Sequence, residues 1–266
     1  MKVFVSFSLF IVCFFYFPLA WSQFEEPQKA HSAPVKVPEE KLDRLKEAMG
    51  SGDEKQVISA VAAILSDDSN HLEALNDLAV FHFLKGRVGL SKIVINRALV
   101  AHPKSPVLVH NLGVIYLKEG KYRKAVYQFK KALSLKEKFR PSQAYLGVIY
   151  LKYGGSKKAL QFLQEGYKWI KSDLRRGKGD IPVFLANNYA LALAANGEKQ
   201  KAEEIFEKIL DSEIRDPKVY LNYAILLVEV LNKKDKAVKI LSKLKFLTED
   251  VNILRKVNQL EGKIGE

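Results

Sequence analysis

Cysteine occurs once in 266 residues, at Cys13, and methionine and tryptophan occur twice each. Cys13 lies inside an apolar N-terminal run; without that run the chain has no disulfide, no thiolate nucleophile and no Cys-ligated metal. The five histidines, His31, His71, His82, His102 and His110, are scattered, with no HExxH pair and no cluster at metal-ligand spacing. His82 falls at a packing place and reads as a core or boundary residue. No glycine-rich strand-to-helix turn is present to cradle a phosphate, and no G-x-S-x-G elbow. These absences predict a protein that is not an enzyme and that needs no cofactor or metal.

What is present begins with Met1-Lys2 and an almost unbroken apolar run from Val3 to Trp21, broken by Pro18 and followed by Ser22. Ala20 and Ser22 put small residues where a signal peptidase needs them, so residues 1–22 are expected to be a secretory signal cleaved before Gln23, and the mature protein to be exported. The alternative is an uncleaved anchor, because the run approaches the roughly 20 apolar residues that span a bilayer. Val12, ahead of Cys13, is larger than the residue that lipid attachment normally requires. Residues 23–37, with Pro27 and Pro34 and with Pro38 at their end, show no apolar periodicity and read as a flexible or extended linker. The remainder, 38–266, has ample apolar residues for a core, since the whole chain is 48% hydrophobic.

That remainder repeats itself. Gly113 and Gly147 each open the run Gly-Val-Ile-Tyr-Leu-Lys, 34 residues apart, and the same step leads back to Ala79 and Leu45. Gly147 to Ala190 is 43, nine more, and Ala190 to Ala224 is again 34. Six repeats follow, near 38–71, 72–105, 106–139, 140–182 with an insertion, 183–216 and 217–247. The segment 248–266 carries Val251, Leu254, Val257 and Leu260 at helical spacing and is expected to cap the last repeat. Within each repeat, two helix-period segments flank a turn signal: in the third, Leu112 and Tyr116 precede Gly120, and Ala125, Phe129 and Ala132 follow it. The small residue at the Gly113 place is expected to let the first helix approach the second beside Ala125, a pairing repeated as Gly147 with Ala159 and Ala190 with Ala202. In the sixth repeat an extra residue puts Ala237 one place late.

The set Leu112, Gly113, Tyr116, Gly120, Ala125, Phe129 and Ala132, with its counterparts in the other repeats, resembles the tetratricopeptide repeat, a 34-residue helix-turn-helix. The resemblance implies an all-α fold, a right-handed superhelix (α-solenoid) of about six units with a C-terminal capping helix. It also implies that the first helix of each repeat lines a concave groove for a protein or peptide partner. In the second and third repeats those places hold Asn76, Val80 and Phe83, then His110, Val114 and Leu117. In the fourth and fifth they hold Ala144, Val148 and Leu151, then Asn187 and Leu191. Asn111, Asn188 and Asn222 share the next place; they either bond the backbone of an extended peptide or have local partners. Val80, Val114 and Val148 stand where family members that clamp terminal carboxylates need Asn, so no such clamp is implied. The export signal and repeat architecture also look like periplasmic repeat proteins that assist type IV pilus secretins or gliding-motility complexes, which makes a scaffold of the bacterial cell envelope the expected function.

Charge supplies a second reading. Lys118 to Lys178 holds 17 Lys and Arg against 4 Asp and Glu, while the rest of the chain has 26 of each sign. Arg123-Lys124 and Lys157-Lys158 open second helices in register, and Lys130-Lys131 continue one stripe. In the family these places face the convex side, and such a ridge suits anionic lipid headgroups, an acidic protein or an acidic envelope polymer as well as simple solubility. Nothing in the sequence supports nucleic-acid binding. The insertion around Lys168 to Pro182 predicts a lengthened helix ending at the Gly177–Gly179 loop, with a new helix start at Asp180-Ile181-Pro182. Tyr167 and Trp169 on that helix are expected to pack on the next repeat.

Overall fold

Helix starts are set locally. Ser105 Oγ accepts the Leu108 N–H at 3.4 Å with Pro106 at the first helical position, and Asp216 Oδ1 accepts the Lys218 N–H at 2.9 Å with Pro217 in the same role. The computed structural model of the chain describes residues 37–175, 180–211 and 215–265, and side chains there except 169–182. Among these residues it contains thirteen α-helices, one π-helical turn and no strand. The helices are α1 Glu39–Ser51, α2 Glu54–Leu65, α3 Leu72–Leu84, α4 Val88–Ala101, α5 Pro106–Lys118, α6 Tyr122–Leu135 and α7 Arg140–Lys152. They continue with α8 Ser156–Arg175, α9 Asp180–Ala195, α10 Lys199–Leu210, α11 Pro217–Ile225, α12 Lys234–Leu247 and α13 Val251–Gly265. The fold class is all-α, with α1 to α12 forming successive helical hairpins.

One backbone event recurs in every hairpin. The chain leaves the first helix through a left-handed residue: Gly52, Gly86, Gly120, Gly154, Gly197 and, in the sixth, Asn232 at φ 52°. A Cβ crowds the carbonyl in that conformation, which is why glycine or asparagine occupies it. At Gly120 the Lys121 N–H then donates back to the Tyr116 carbonyl (2.8 Å), satisfying a helix-end carbonyl before α6 begins. The sixth hairpin has its extra residue in the first helix. Leu226–Val230 winds as a π-helical turn, and the Lys233 N–H reaches to Leu227, one residue farther back than Lys121 reaches to Tyr116. The insertion is thus absorbed, and Ala237 is buried like Ala125, Ala159 and Ala202.

The close approach at Gly113 has a different partner from the one expected. A Cβ there would lie 2.7 Å from Phe129 Cε1, and one on Gly147 would lie 2.5 Å from Leu163 Cγ. The glycines make room for the large residue one turn beyond Ala125 or Ala159. Both alanines are buried, but neither is the atom a side chain at the glycine would strike.

The described chain divides into two compact units after Ser142. In the N-terminal unit each hairpin buries its apolar face on the next: Leu45, Val57, Ile64 and Phe81 form one cluster, and Leu75, Ile95, Leu108 and Ile115 another. In the C-terminal unit one cluster runs from Ala144 to Leu260. There α8 is lengthened to Arg175 and α9 starts at Asp180, as the insertion predicts. Tyr167 is buried and stacks on Tyr189 of α9, ring centroids 4.7 Å apart. The capping helix is α13, but its buried stripe is Ile253, Val257 and Leu260, with Val251 68% exposed. Asp250 accepts the Asn252 N–H (2.8 Å), which starts the helix at Val251 and turns that residue outward. The Val3–Trp21 run, the cleavage position at Gln23, the linker to residue 36, the loop through 177–179 and the Trp169 side chain lie outside the described residues.

Candidate functional site

The residues expected on the first-helix face come together within each compact unit, and many are engaged with one another. In the N-terminal unit, Asn111 Nδ2 of α5 donates to Asn76 Oδ1 of α3 at 2.7 Å, both buried. Asn222 of α11 repeats this in the C-terminal unit, donating to Asn187 Oδ1 of α9 at 3.0 Å. The geometry is one rule used twice: an Asn at the sixth place of a repeat reaches the fifth place of the repeat before. Where that fifth place is Ala144, Asn188 turns to its own helix, Nδ2 donating to the Phe184 carbonyl at 2.8 Å and Oδ1 left without a partner. Of the two readings of these amides, local partners account for all three Nδ2 groups.

His110, expected on the groove, is turned into the core. Its Nδ1 shares a 3.0 Å hydrogen bond with Ser142 Oγ, and its ring lies 5.2 Å from Phe129 and 5.6 Å from Phe139 between centroids. Burial favours the neutral imidazole and pushes its pKa down to about 3. Val80, Val114, Val148 and Leu151 are also buried. Phe83, Leu117 and Leu191 are half-buried and are the apolar residues of the set that keep a face to solvent. Between α3, α4 and α5 lies a shallow crevice lined by Ala79, Val80, Phe83, Ser91, Ile95, Asn111 and Ile115. His82, on the other side of α3, is partly buried, and burial lowers its pKa.

The basic residues do lie at the surface: Arg123, Lys124, Lys130, Lys131, Lys157 and Lys158 are all exposed. Two of them have an internal contact as well. Lys124 Nζ lies 5.7 Å from the Tyr116 ring centroid, and Lys158 Nζ 5.6 Å from that of Tyr150, the same pairing one repeat later. Sequence reasoning missed the aliphatic residues that α4 exposes, Leu90, Ile93 and Val100, and the exposed Tyr127 on α6. The repeat itself carried the signal, because Leu90 and Ile93 hold the places that Lys124 and Tyr127 hold one repeat on. A further charged cluster joins α10 to α12: Glu203, almost buried, accepts from Lys233 (2.7 Å) and Lys236 (2.8 Å), and Lys236 also meets Glu207. Burial alone would push the Glu203 carboxyl up, but the two lysines outweigh it and hold it below the ordinary value. Among the described residues no group of His, Cys, Asp and Glu is placed to hold a metal ion, and no helix is long and apolar enough to cross a membrane.

Comparison with known proteins gives the same picture. Residues 107–139 match the family described as tetratricopeptide repeat. Photosystem I assembly protein Ycf3 of Prochlorococcus marinus (strain MIT 9215) is 31% identical over 78 residues, 28% of this chain and 45% of that protein. The match thus spans less than half the length of that relative. Among solved structures, Pseudomonas aeruginosa pilF superposes with a TM-score of 0.64 at 16% identity, covering 83% of this chain and 94% of its own. YrrB, described as a tetratricopeptide-repeat protein with an unusual peptide-binding site, gives 0.55 at 16% identity over 75% of this chain and 98% of its own. At such identities the likeness establishes the fold. Together with the 34-residue step and the left-handed residue closing each hairpin, it shows that the chain has the fold of tetratricopeptide-repeat proteins, and one of its repeats matches that family directly.

Proposed function

We propose that the chain is a non-enzymatic, exported scaffold that holds a protein or peptide on its first-helix face and assists assembly of a complex in a bacterial cell envelope. The observation that carries this reading is the crevice between α3, α4 and α5. It is apolar on most sides, with Asn111 and half-buried Phe83 in its lining. Leu117 and Leu191 are half-buried at first-helix places of other repeats. With Val80, Val114 and Val148 where a carboxylate clamp needs Asn, recognition rests on apolar contact rather than on a chain terminus. The Prochlorococcus relative's name as an assembly protein, and the peptide-binding site described for YrrB, support a partner-binding reading.

The test is crosslinking in intact cells followed by affinity purification and mass spectrometry, comparing the native chain with Phe83→Asp/Leu117→Asp. Loss of one set of envelope proteins in the variant, with helical content and melting nearly unchanged, is the expected result. Equal recovery from both proteins would remove the first-helix face from the mechanism. N-terminal sequencing of the protein from fractionated cells tests export: a chain starting at Gln23 outside the cytoplasm is expected, and one that keeps Met1 in the cytoplasm contradicts it.

A further inference from the structure

The outer faces of α4 and α6 combine features that packing does not require. On α4, Leu90 is 47% exposed, Ile93 65% and Val100 85%. With Arg97 they fall at i, i+3, i+7 and i+10, one stripe of the helix. One repeat later the same places on α6 hold Lys124, Tyr127, Lys131 and Ser134, and Tyr127 is 65% exposed. The fold accepts lysine, tyrosine or serine at these positions, so the aliphatic residues of α4 do not serve the core.

The charge around them has one sign. From Leu78 to Lys136 the chain has 12 Lys and Arg and one carboxylate, Glu119. Glu119 is already held by Lys121 (2.7 Å) and Lys92 (2.9 Å). Neither α4 nor α6 contains an acidic residue. Among the described residues Arg123, Lys124, Lys130 and Lys131 have no carboxylate partner, and all four are exposed. Leu99 of α4 and Ala132 and Leu133 of α6 pack in one apolar cluster, so the two helices belong to one continuous body within the N-terminal unit.

We infer that this face of the N-terminal unit docks on an anionic lipid bilayer, with Leu90, Ile93 and Val100 entering the headgroup region and Arg123, Lys124, Lys130 and Lys131 meeting lipid phosphates around Tyr127. Exposed aliphatics interleaved with cations and an interfacial tyrosine match what such a surface offers, apolar depth beneath a sheet of negative charge. An acidic protein would neutralise the cations but set carboxylates against Ile93 and Val100. A zwitterionic bilayer would take the aliphatics and leave the excess charge uncompensated. Three aliphatic side chains are a small anchor, so binding is reversible and weakens with salt. This inference does not rest on the first-helix reading.

The test uses the full chain with Cys13→Ser and one new cysteine carrying a polarity-sensitive dye, at Ile93→Cys, at Tyr127→Cys or, as a control on α13, at Val251→Cys. Each is added to vesicles of phosphatidylcholine alone or of an equimolar mixture with phosphatidylglycerol. Emission at positions 93 and 127 should shift to the blue on the mixed vesicles only, with position 251 unchanged. Replacing Arg123, Lys124, Lys130 and Lys131 by Gln should raise the lipid needed for half the shift on the order of a thousandfold. The local dye separates this from binding through the Val3–Trp21 run, which would leave positions 93 and 127 in water. That result, a shift insensitive to the Gln replacements, a shift with polyglutamate in place of lipid, or one that grows with protein concentration in the absence of lipid would each overturn the proposal. The last two would indicate an acidic polypeptide or a second copy of the chain.

Discussion

Adding a single methyl group at Gly113 tests the packing logic of the repeat. In Gly113→Ala the new Cβ would sit 2.7 Å from Phe129 Cε1, 2.9 Å from Cδ1 and 3.1 Å from Cζ, so one edge of the ring must retreat by about 1 Å to reach ordinary contact near 3.7 Å. Retreat is obstructed, because Phe129 is fully buried and packs against His110, which is itself hydrogen-bonded to Ser142 and set against Phe139. Overpacking of this kind costs about 1–3 kcal/mol, and replacing glycine by alanine in a helix returns about 1 kcal/mol. The net is a loss of up to about 2 kcal/mol, a fall in Tm of up to about 8 °C for a body of this size. Gly89→Ala on α4 is the matched control: no atom lies within 4 Å of its Cβ, so only the propensity term acts and a gain of about 0.5–1 kcal/mol is expected. Denaturant unfolding followed by circular dichroism measures both. Gly113→Ala gaining as much stability as Gly89→Ala would refute the argument, since the clash would then be relieved at no cost.

Removing the cross-repeat amide by Asn111→Leu should cost about 1–3 kcal/mol, because Asn76 Oδ1 loses a buried donor. A double-mutant cycle with Asn76→Leu should show a coupling of about 0.5–3 kcal/mol; additive effects would mean that the bond contributes nothing. Acid should destabilise the protein in two stages. His110 has an ordinary value of 6.5 but titrates near 3 in the fold, so below pH 6.5 the unfolded chain binds a proton that the folded chain refuses. Stability then falls by about 1.4 kcal/mol per pH unit, a slope that His110→Asn should remove. Glu203 acts later, because its folded pKa lies below the ordinary 4.5: its contribution is complete above that value and is lost as pH falls through the lowered one. Glu203→Gln should flatten the lower stage and leave the upper one; an unchanged pH profile in either variant would show that another group is responsible.

Most of the fold was legible because a repeat states each requirement several times. A left-handed turn needs glycine or asparagine whatever surrounds it, so Gly52, Gly86, Gly120, Gly154, Gly197 and Asn232 mark the hairpins directly. The extra residue of the sixth repeat was visible as a displaced Ala237, although the way a helix absorbs it, a π-helical turn at Leu226–Val230, depends on which face must stay on the core. The candidate surfaces were less legible. Periodicity marks which residues share a helix face, but it does not say what lies across from that face.

The sequence by itself determined the 34-residue step, the turn residues between paired helices and the excess of positive charge in the middle of the chain, since turn residues and composition act over a few neighbouring residues or none. Tertiary structure decided the partners. It paired Asn111 with Asn76 and Asn222 with Asn187, sent His110 into an aromatic core beside Ser142, and set Phe129 rather than Ala125 against Gly113. It also left Leu90, Ile93 and Val100 facing water. Each of these outcomes turns on distances between groups about 16 to 35 residues apart, which packing sets to within a fraction of an ångström and a linear pattern does not contain.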